Sequence, residues 1–356
     1  MRSVKLTIAK FLPVLFVACG LQMSAFAQEN SPYSRYGIGD LTPNHNVFTR
    51  AMGGIAAGVV DIHHQSINFT NPASYSSISN TIFDIAAEAS FRTLKSSNPA
   101  KKFTSANSYF SYLQLGFPLS TPKMLKKDIR WGMSFGLRPV SKINYKIEKI
   151  GRSPIDSLRT TYEGSGGVNQ AFIGTGLRVK NFSVGFNAGY MFGNKDYSTK
   201  VDLINDSVIY YPSNTAKKTT FGGVFVSGGM QYDIVLNKDK KGEAAKILKL
   251  GLHGNLQHNL NASRDEVVET ISYNATGGFF RIDSVYEKND VKGKIKFPAA
   301  VGVGFSYLGM HWMYGADFEM TNWDSYRFYG QKDLVEKNWI AKAGFQFFLF
   351  SRNYIV

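Results

Sequence analysis

From Ile129 to Arg138 the chain reads IRWGMSFGLR, with large apolar side chains at every odd position and Arg, Gly, Ser, Gly and Arg at the even ones. A period of two is that of a β-strand with two unlike faces. The pattern recurs in TIFDIAAEASFR (81–92), SYFSYLQLGFPL (108–119), NFSVGFNAGYMF (181–192) and HWMYGADFEM (311–320). Ten such strands are predicted, near 81–94, 107–119, 129–147, 168–179, 182–193, 218–232, 247–260, 296–307, 311–322 and 338–350. The gaps between them alternate in length. Those at 95–106, 148–167, 194–217, 261–295 and 323–337 are long, and those at 120–128, 180–181, 233–246 and 308–310 are mostly short.

A soluble β-sandwich also alternates, but its turns are short at both ends. Strands of ten or more residues with long loops at one end and short turns at the other describe an outer-membrane barrel. In hydrocarbon every backbone polar group needs an internal partner, and a closed ladder supplies one. The fold class expected is therefore all-β, a transmembrane antiparallel β-barrel of about ten strands. Its apolar face meets lipid and its polar face meets the lumen, which puts Asp84, Glu88, Arg92, Arg130, Asp317 and Glu319 inside. An added arginine is expected to be costly at Phe186 or Phe318 and tolerated at Asn187 or Thr321.

The N-terminus supports export. Arg2, Lys5 and Lys10 precede the apolar run FLPVLFVACGLQM, and Ala25–Phe26–Ala27 forms an A-x-A site, so residues 1–27 read as a signal peptide cleaved after Ala27. A second reading makes Cys19 a lipidated first residue, although Phe16 fits that motif poorly. Cys19 is the one cysteine, so cleavage after Ala27 excludes disulfides and thiolate sites from the remainder. No run of 18 apolar residues follows Gln28, which excludes a membrane-spanning helix. The 41 basic residues, three of them in the leader, outnumber 26 acids and suit anionic lipid headgroups and lipopolysaccharide. Nucleic acid is a poor match for an exported chain without a concentrated basic helix. Residues 28–80 lack the alternation, and FTRAMGGIAAGVVD (48–61) is small-sided, as expected of a hatch packed inside a barrel formed by 81–356.

Two stretches, TRAMGGIAAGVVD with NPASY (49–75) and FPAAVGVGFSYLGMHWMYGADFEMTNW (297–323), resemble the FadL/TodX-type outer-membrane transporters of hydrophobic compounds. The resemblance implies a 14-stranded barrel whose N-terminal hatch carries Gly53 and Gly54 and ends in an Asn71-Pro72-Ala73 turn. It implies passive uptake of apolar molecules such as long-chain fatty acids, with a lateral exit at a kink in the third strand. Pro139, after Arg138, interrupts that strand's apolar phase, and a proline gives the ladder no donor. It marks either a gate or a position beyond the lipid zone. Two departures from the family stand out: IHHQS (62–66), where small polar residues are usual, and ten strands in place of fourteen, so the chain is either a small barrel or a truncated larger one. A rival reading is a non-transporting barrel subunit of a protein-secretion or surface-assembly complex, with other outer-membrane proteins as partners.

Chemistry-bearing motifs are few. No histidine lies in an H-E-x-x-H context and no glycine cluster leads into a helix pattern, so no catalytic residues, metal or cofactor are expected. His63 and His64 are adjacent and would point opposite ways on a strand. Asp317 and Glu319 share a face about 6–7 Å apart. They could serve as paired carboxylates, but a lumen-facing acidic patch answered by Arg130 or Arg138 is the simpler expectation.

Overall fold

The structure, a computed structural model, describes residues 31–61, 66–98, 100–152, 157–204, 210–238, 244–274 and 278–349. The leader with its cleavage site and Cys19, the pair His63 and His64, and the side chain of Arg92 lie outside the described residues. The strands are β1 (Asp40–Leu41), β2 (Ile82–Ser97), β3 (Ala100–Pro118), β4 (Ile129–Arg152), β5 (Ser157–Val179), β6 (Phe182–Ile204) and β7 (Ser213–Lys238). They continue with β8 (Ala244–Asn255), β9 (His258–Tyr273), β10 (Phe279–Phe297), β11 (Ala300–Leu308), β12 (Trp312–Thr321), β13 (Arg327–Phe328) and β14 (Asn338–Phe347). Residues 89–108, in the β2–β3 hairpin, belong to a separate compact unit; the description below concerns 31–88 and 109–349.

All strands join one antiparallel sheet, ordered β14-β12-β11-β8-β7-β6-β5-β4-β3-β2. β8 and β9 are two halves of one leg, since β7 pairs with β8 from Ser227↔Asn255 onward and with β9 up to Gly222↔Asn261. β10 and β11 form the next leg in the same way, against β9 and β8. Counted so, the described residues form ten legs, and β1 and β13 are two-residue additions to β4 and β10.

Three of the expected long loops are ladder instead. β4 and β5 stay paired out to Arg152↔Ser157, β6 and β7 to Val201↔Ser213, and β9 and β10 to Tyr273↔Phe279. Alternation is required only where one face meets hydrocarbon; beyond it the ladder continues with polar residues on both faces. There Glu163 takes Lys146 at 3.4 Å and Lys200 at 2.7 Å across three strands.

The faces are inverted relative to a soluble protein. Phe186 is 54% exposed and Phe135 40%, whereas inward Ser134 is 0% and Asn187 3% exposed. Trp131, Leu137, Ile173, Val184, Tyr190 and Phe318 are likewise exposed on the outer face. A continuous apolar band of this kind is a lipid contact.

The N-terminal segment shows how the sheet curves. Asp84 of β2 accepts from Ile67 N, and Met52 O lies against Gly344 of β14. Between these sheet ends, residues 55–78 reach Gln114 of β3, Gly132 of β4, Gly176 of β5, Gly185 of β6, Gly229 of β7, Gly251 of β8, Ser306 of β11 and Asp317 of β12. A segment this short touches both ends of a ten-legged sheet only if the sheet curls around it into a barrel. The inward glycines admit it: a side chain at Gly132 would strike the Tyr75 carbonyl, at Gly176 or Gly185 that of Pro72, and at Gly251 that of Ala57.

Candidate functional site

The hatch is fixed by side chains that answer its own backbone. Asn46 accepts from Thr49 N at 2.9 Å and so caps a short helix, α1 (Val47–Ala51). Gly53 and Gly54, at φ +70° and +81°, end that helix in the left-handed conformation that glycine adopts without strain. Asn71 accepts from Ala73 N at 3.1 Å and starts a 3-10 turn over Pro72–Ser77, with Pro72 in the first position where no N–H is needed. Its amide also donates to Ala57 O at 2.6 Å, with longer contacts to Met230 O of β7 and Leu252 O of β8. The turn therefore ties hatch to hatch and hatch to wall.

The expected inward polar residues divide into three groups. Asp84 accepts from Ser66, Ile67 N, Tyr112 and Gln114, and Glu88 pairs with Arg50, so both face the hatch. Arg130 is half-buried beside Arg178. Asp317 and Glu319 are not answered by Arg130 or Arg138. Asp317 accepts from Ala56 N and Ala57 N at 2.5 and 2.8 Å, and Glu319 pairs at 2.6 Å with Lys342 of the adjacent β14. Register decides this: Asp317 lies directly opposite Lys342, whereas Arg138 is on β4. Lys342 also donates to His45 Nε2 of the hatch at 2.7 Å. Burial first, and the Lys342 charge second, push the His45 imidazole down to about 3, so it is neutral and able to accept. Asn187 also departs from expectation. It is wedged against Gly174 and contacts Phe69 O and Ser227, so an arginine has no room there.

Between the hatch segment and the wall lies a cavity of about 450 Å³. Its apolar lining includes Phe69, Phe172, Met191, Phe225, Phe297 and Trp323, and residues 41–45 lie across it. Phe69 and Phe172 meet at 6.3 Å and Phe297 and Trp323 at 5.9 Å between ring centroids. Arg138 enters from β4, donating to Gln170 at 2.8 Å with its guanidinium 5.0 Å from the centre of the Phe69 ring. Among the described residues it has no carboxylate partner. His253, Glu319 and Lys342 border the cavity on another side. The sequence pointed to Arg138 and Glu319 but not to the aromatic wall, because those five rings come from five separate segments.

The wall at Pro139 is bulged but filled from inside. The register slips between Pro139 and Ser141, and Thr42 donates its hydroxyl to Pro139 O at 2.7 Å and its N–H to Val140 O at 3.0 Å. β1 then pairs with Ser141 and Lys142. A second discontinuity lies where β8 gives way to β9 and β10 to β11. Pro298 has no N–H for the ladder, and Asn255 caps its carbonyl at 3.0 Å. A lipid-facing groove of about 610 Å³, lined by Val184, Phe186, Val226, Met230, Leu252 and Leu256, meets the inner cavity there. The two share seven lining residues, among them Ser227, His253, Gly254, Asn255 and Ala300.

The model of one protein family, BamG, matches residues 8–346. That is a different family from the hydrophobic-compound transporters suggested by the sequence motifs. A solved structure described as a TodX deltaS2S3 mutant monoaromatic hydrocarbon channel is similar at 12% identity and a TM-score of 0.47, over 86% of this chain and 84% of that one. No curated protein matches.

Proposed function

The chain belongs to the BamG family and is an outer-membrane β-barrel, and on that premise we propose that it takes an apolar molecule with an anionic head, such as a fatty acid, into the cavity between its hatch and wall. The observation that carries this reading is Arg138: a cation without a carboxylate partner among the described residues, set in an aromatic wall. A carboxylate head would complete the guanidinium's hydrogen bonding while the alkyl chain lies against Phe172, Phe225 and Phe297. The cavity volume is within the usual range for small-molecule sites. The route to the bilayer is at the Asn255–Pro298 discontinuity, since Thr42 fills the bulge at Pro139. The lipid-facing band contacts bilayer and lipopolysaccharide after export with cleavage behind Ala27.

Calorimetric titration of the protein in nanodiscs with octanoate and with octanol, against empty nanodiscs, tests the reading. Octanoate should bind more tightly, and Arg138→Met should weaken octanoate about 10- to 100-fold while sparing octanol, as expected for a hydrogen bond to a charged group. Equal affinities for both in the unaltered protein would refute it.

A second reading is a non-transporting subunit that docks another outer-membrane protein. It is favoured by the outer β9–β10 hairpin, where Phe279, Phe280, Ile282, Val285 and Tyr286 are all exposed. Thr270 of β9 pairs with Ser213, itself opposite Val201, roughly 60 Å along β6 from the turn at 180–181. That places the hairpin outside a hydrocarbon layer about 30 Å thick. Absence of octanoate binding, together with loss of a co-eluting outer-membrane protein on Phe280→Asp with Val285→Asp, would select this reading.

A further inference from the structure

We propose that His253, Asp317 and Glu319 bind one divalent transition-metal ion of the zinc class, fastening the hatch to the wall. The three offer ligand atoms that all lie within 4.8 Å of one another, from β8 and β12 on either side of β11. Asp317 and His253 are 4% and 8% exposed, and His253 Nε2, Asp317 Oδ1 and Glu319 Oε1 are buried without a hydrogen-bond partner among the described residues. Native proteins rarely leave one such atom unsatisfied, and here three converge.

The surroundings are arranged as they are around metal ligands. Each carboxylate has one oxygen held and one free: Asp317 Oδ2 by Ala56 N and Ala57 N, and Glu319 Oε2 by Lys342. Outer partners of this kind orient ligating carboxylates. β11 places Gly302 opposite both His253 and Glu319, and Gly304 opposite Asp317. A side chain at Gly302 would strike His253 Nε2 and Glu319 Cγ, and one at Gly304 would strike Asp317 Oδ1. The central strand is bare where its neighbours' polar groups converge above it.

A proton on His253 would answer Glu319 Oε1, 3.6 Å away, but leave Asp317 Oδ1 unsatisfied. One cation answers all three. A nitrogen and two carboxylate oxygens, bound at about 2.0–2.2 Å, form the donor set of a zinc site with its fourth position open, here toward the cavity. Drawing the ligands in from their present spread takes side-chain movements on the order of 1 Å. Because Asp317 already grips Ala56 and Ala57, the ion would lock the hatch backbone against β12.

The test uses untagged, folded, EDTA-stripped protein in zwitterionic micelles. Titration with zinc chloride should give one ion per chain, and cobalt(II) should develop the visible d–d bands of a four-coordinate nitrogen–oxygen site. Zinc should slow amide exchange across 52–60, and His253→Gln should weaken binding at least tenfold. Absence of saturable binding, zinc affinity unaffected by His253→Gln, or tighter magnesium than zinc binding would overturn the proposal. Should His253→Gln fail to fold, Glu319→Gln is judged by the same criterion, and the cobalt spectrum of the unaltered protein decides if neither variant folds.

Discussion

Replacing Asn71 by alanine removes both halves of the hatch's central tie. The Ala73 N–H loses its acceptor inside a fully buried turn, and an orphaned buried donor costs about 1–3 kcal/mol. The bond to Ala57 O is lost as well, but that carbonyl keeps Gln231 Nε2 at 2.9 Å, so the net loss there is about 0.5–1.5 kcal/mol. Together these give about 2–4 kcal/mol, concentrated in the hatch. Asn71→Asp is the sharper variant: it keeps the acceptor for Ala73 but turns a carboxylate oxygen toward the carbonyls of Ala57, Met230 and Leu252. It should therefore destabilise more than alanine despite being closer in shape. Urea unfolding in vesicles gives the total, and hydrogen exchange at 66–78 locates it. A loss below about 0.5 kcal/mol for alanine, or aspartate milder than alanine, would refute the assignment of Asn71 as the tie.

Three further outcomes are expected. Phe318→Arg on the lipid face should cost about 2–4 kcal/mol in vesicle unfolding, and Thr321→Arg beside the cavity less than about 1; equal costs would argue against the assigned faces. Gly251→Ala pushes a methyl group into the Ala57 carbonyl and should cost about 1–3 kcal/mol, seen as faster exchange at 55–59 while β4–β6 stay protected. His45 is neutral in the fold down to about pH 3 but protonates near 6.5 when unfolded. The unfolded chain thus binds more protons between those values, and stability falls as pH drops through that window. At pH 4.5 His45's share of the loss relative to pH 7.5 should approach about 2–3 kcal/mol, read as the difference between the unaltered protein and His45→Gln.

The strand count and the lipid face were legible in the sequence for one reason. Hydrocarbon on one side of a strand leaves a strict period of two, and Trp131, Phe135, Phe186 and Phe318 carry it openly. Where lipid ends, so does the signal: the outer reaches of β4–β7, β9 and β10 were expected as loops because a ladder in water places no demand on side-chain polarity. The small-sided hatch and the turn at Asn71 were visible as local chemistry. Their seats were not, because Gly132, Gly185 and Gly251 look like ordinary strand glycines until the barrel brings a backbone against them. The same holds for the partners of the acids. Asp317 and Glu319 share a face by periodicity alone, but only strand order sets them beside Lys342 and His253 and leaves Arg138 without a carboxylate partner among the described residues. Periodicity records what each residue's solvent is, and strand order across the barrel decides which residues meet.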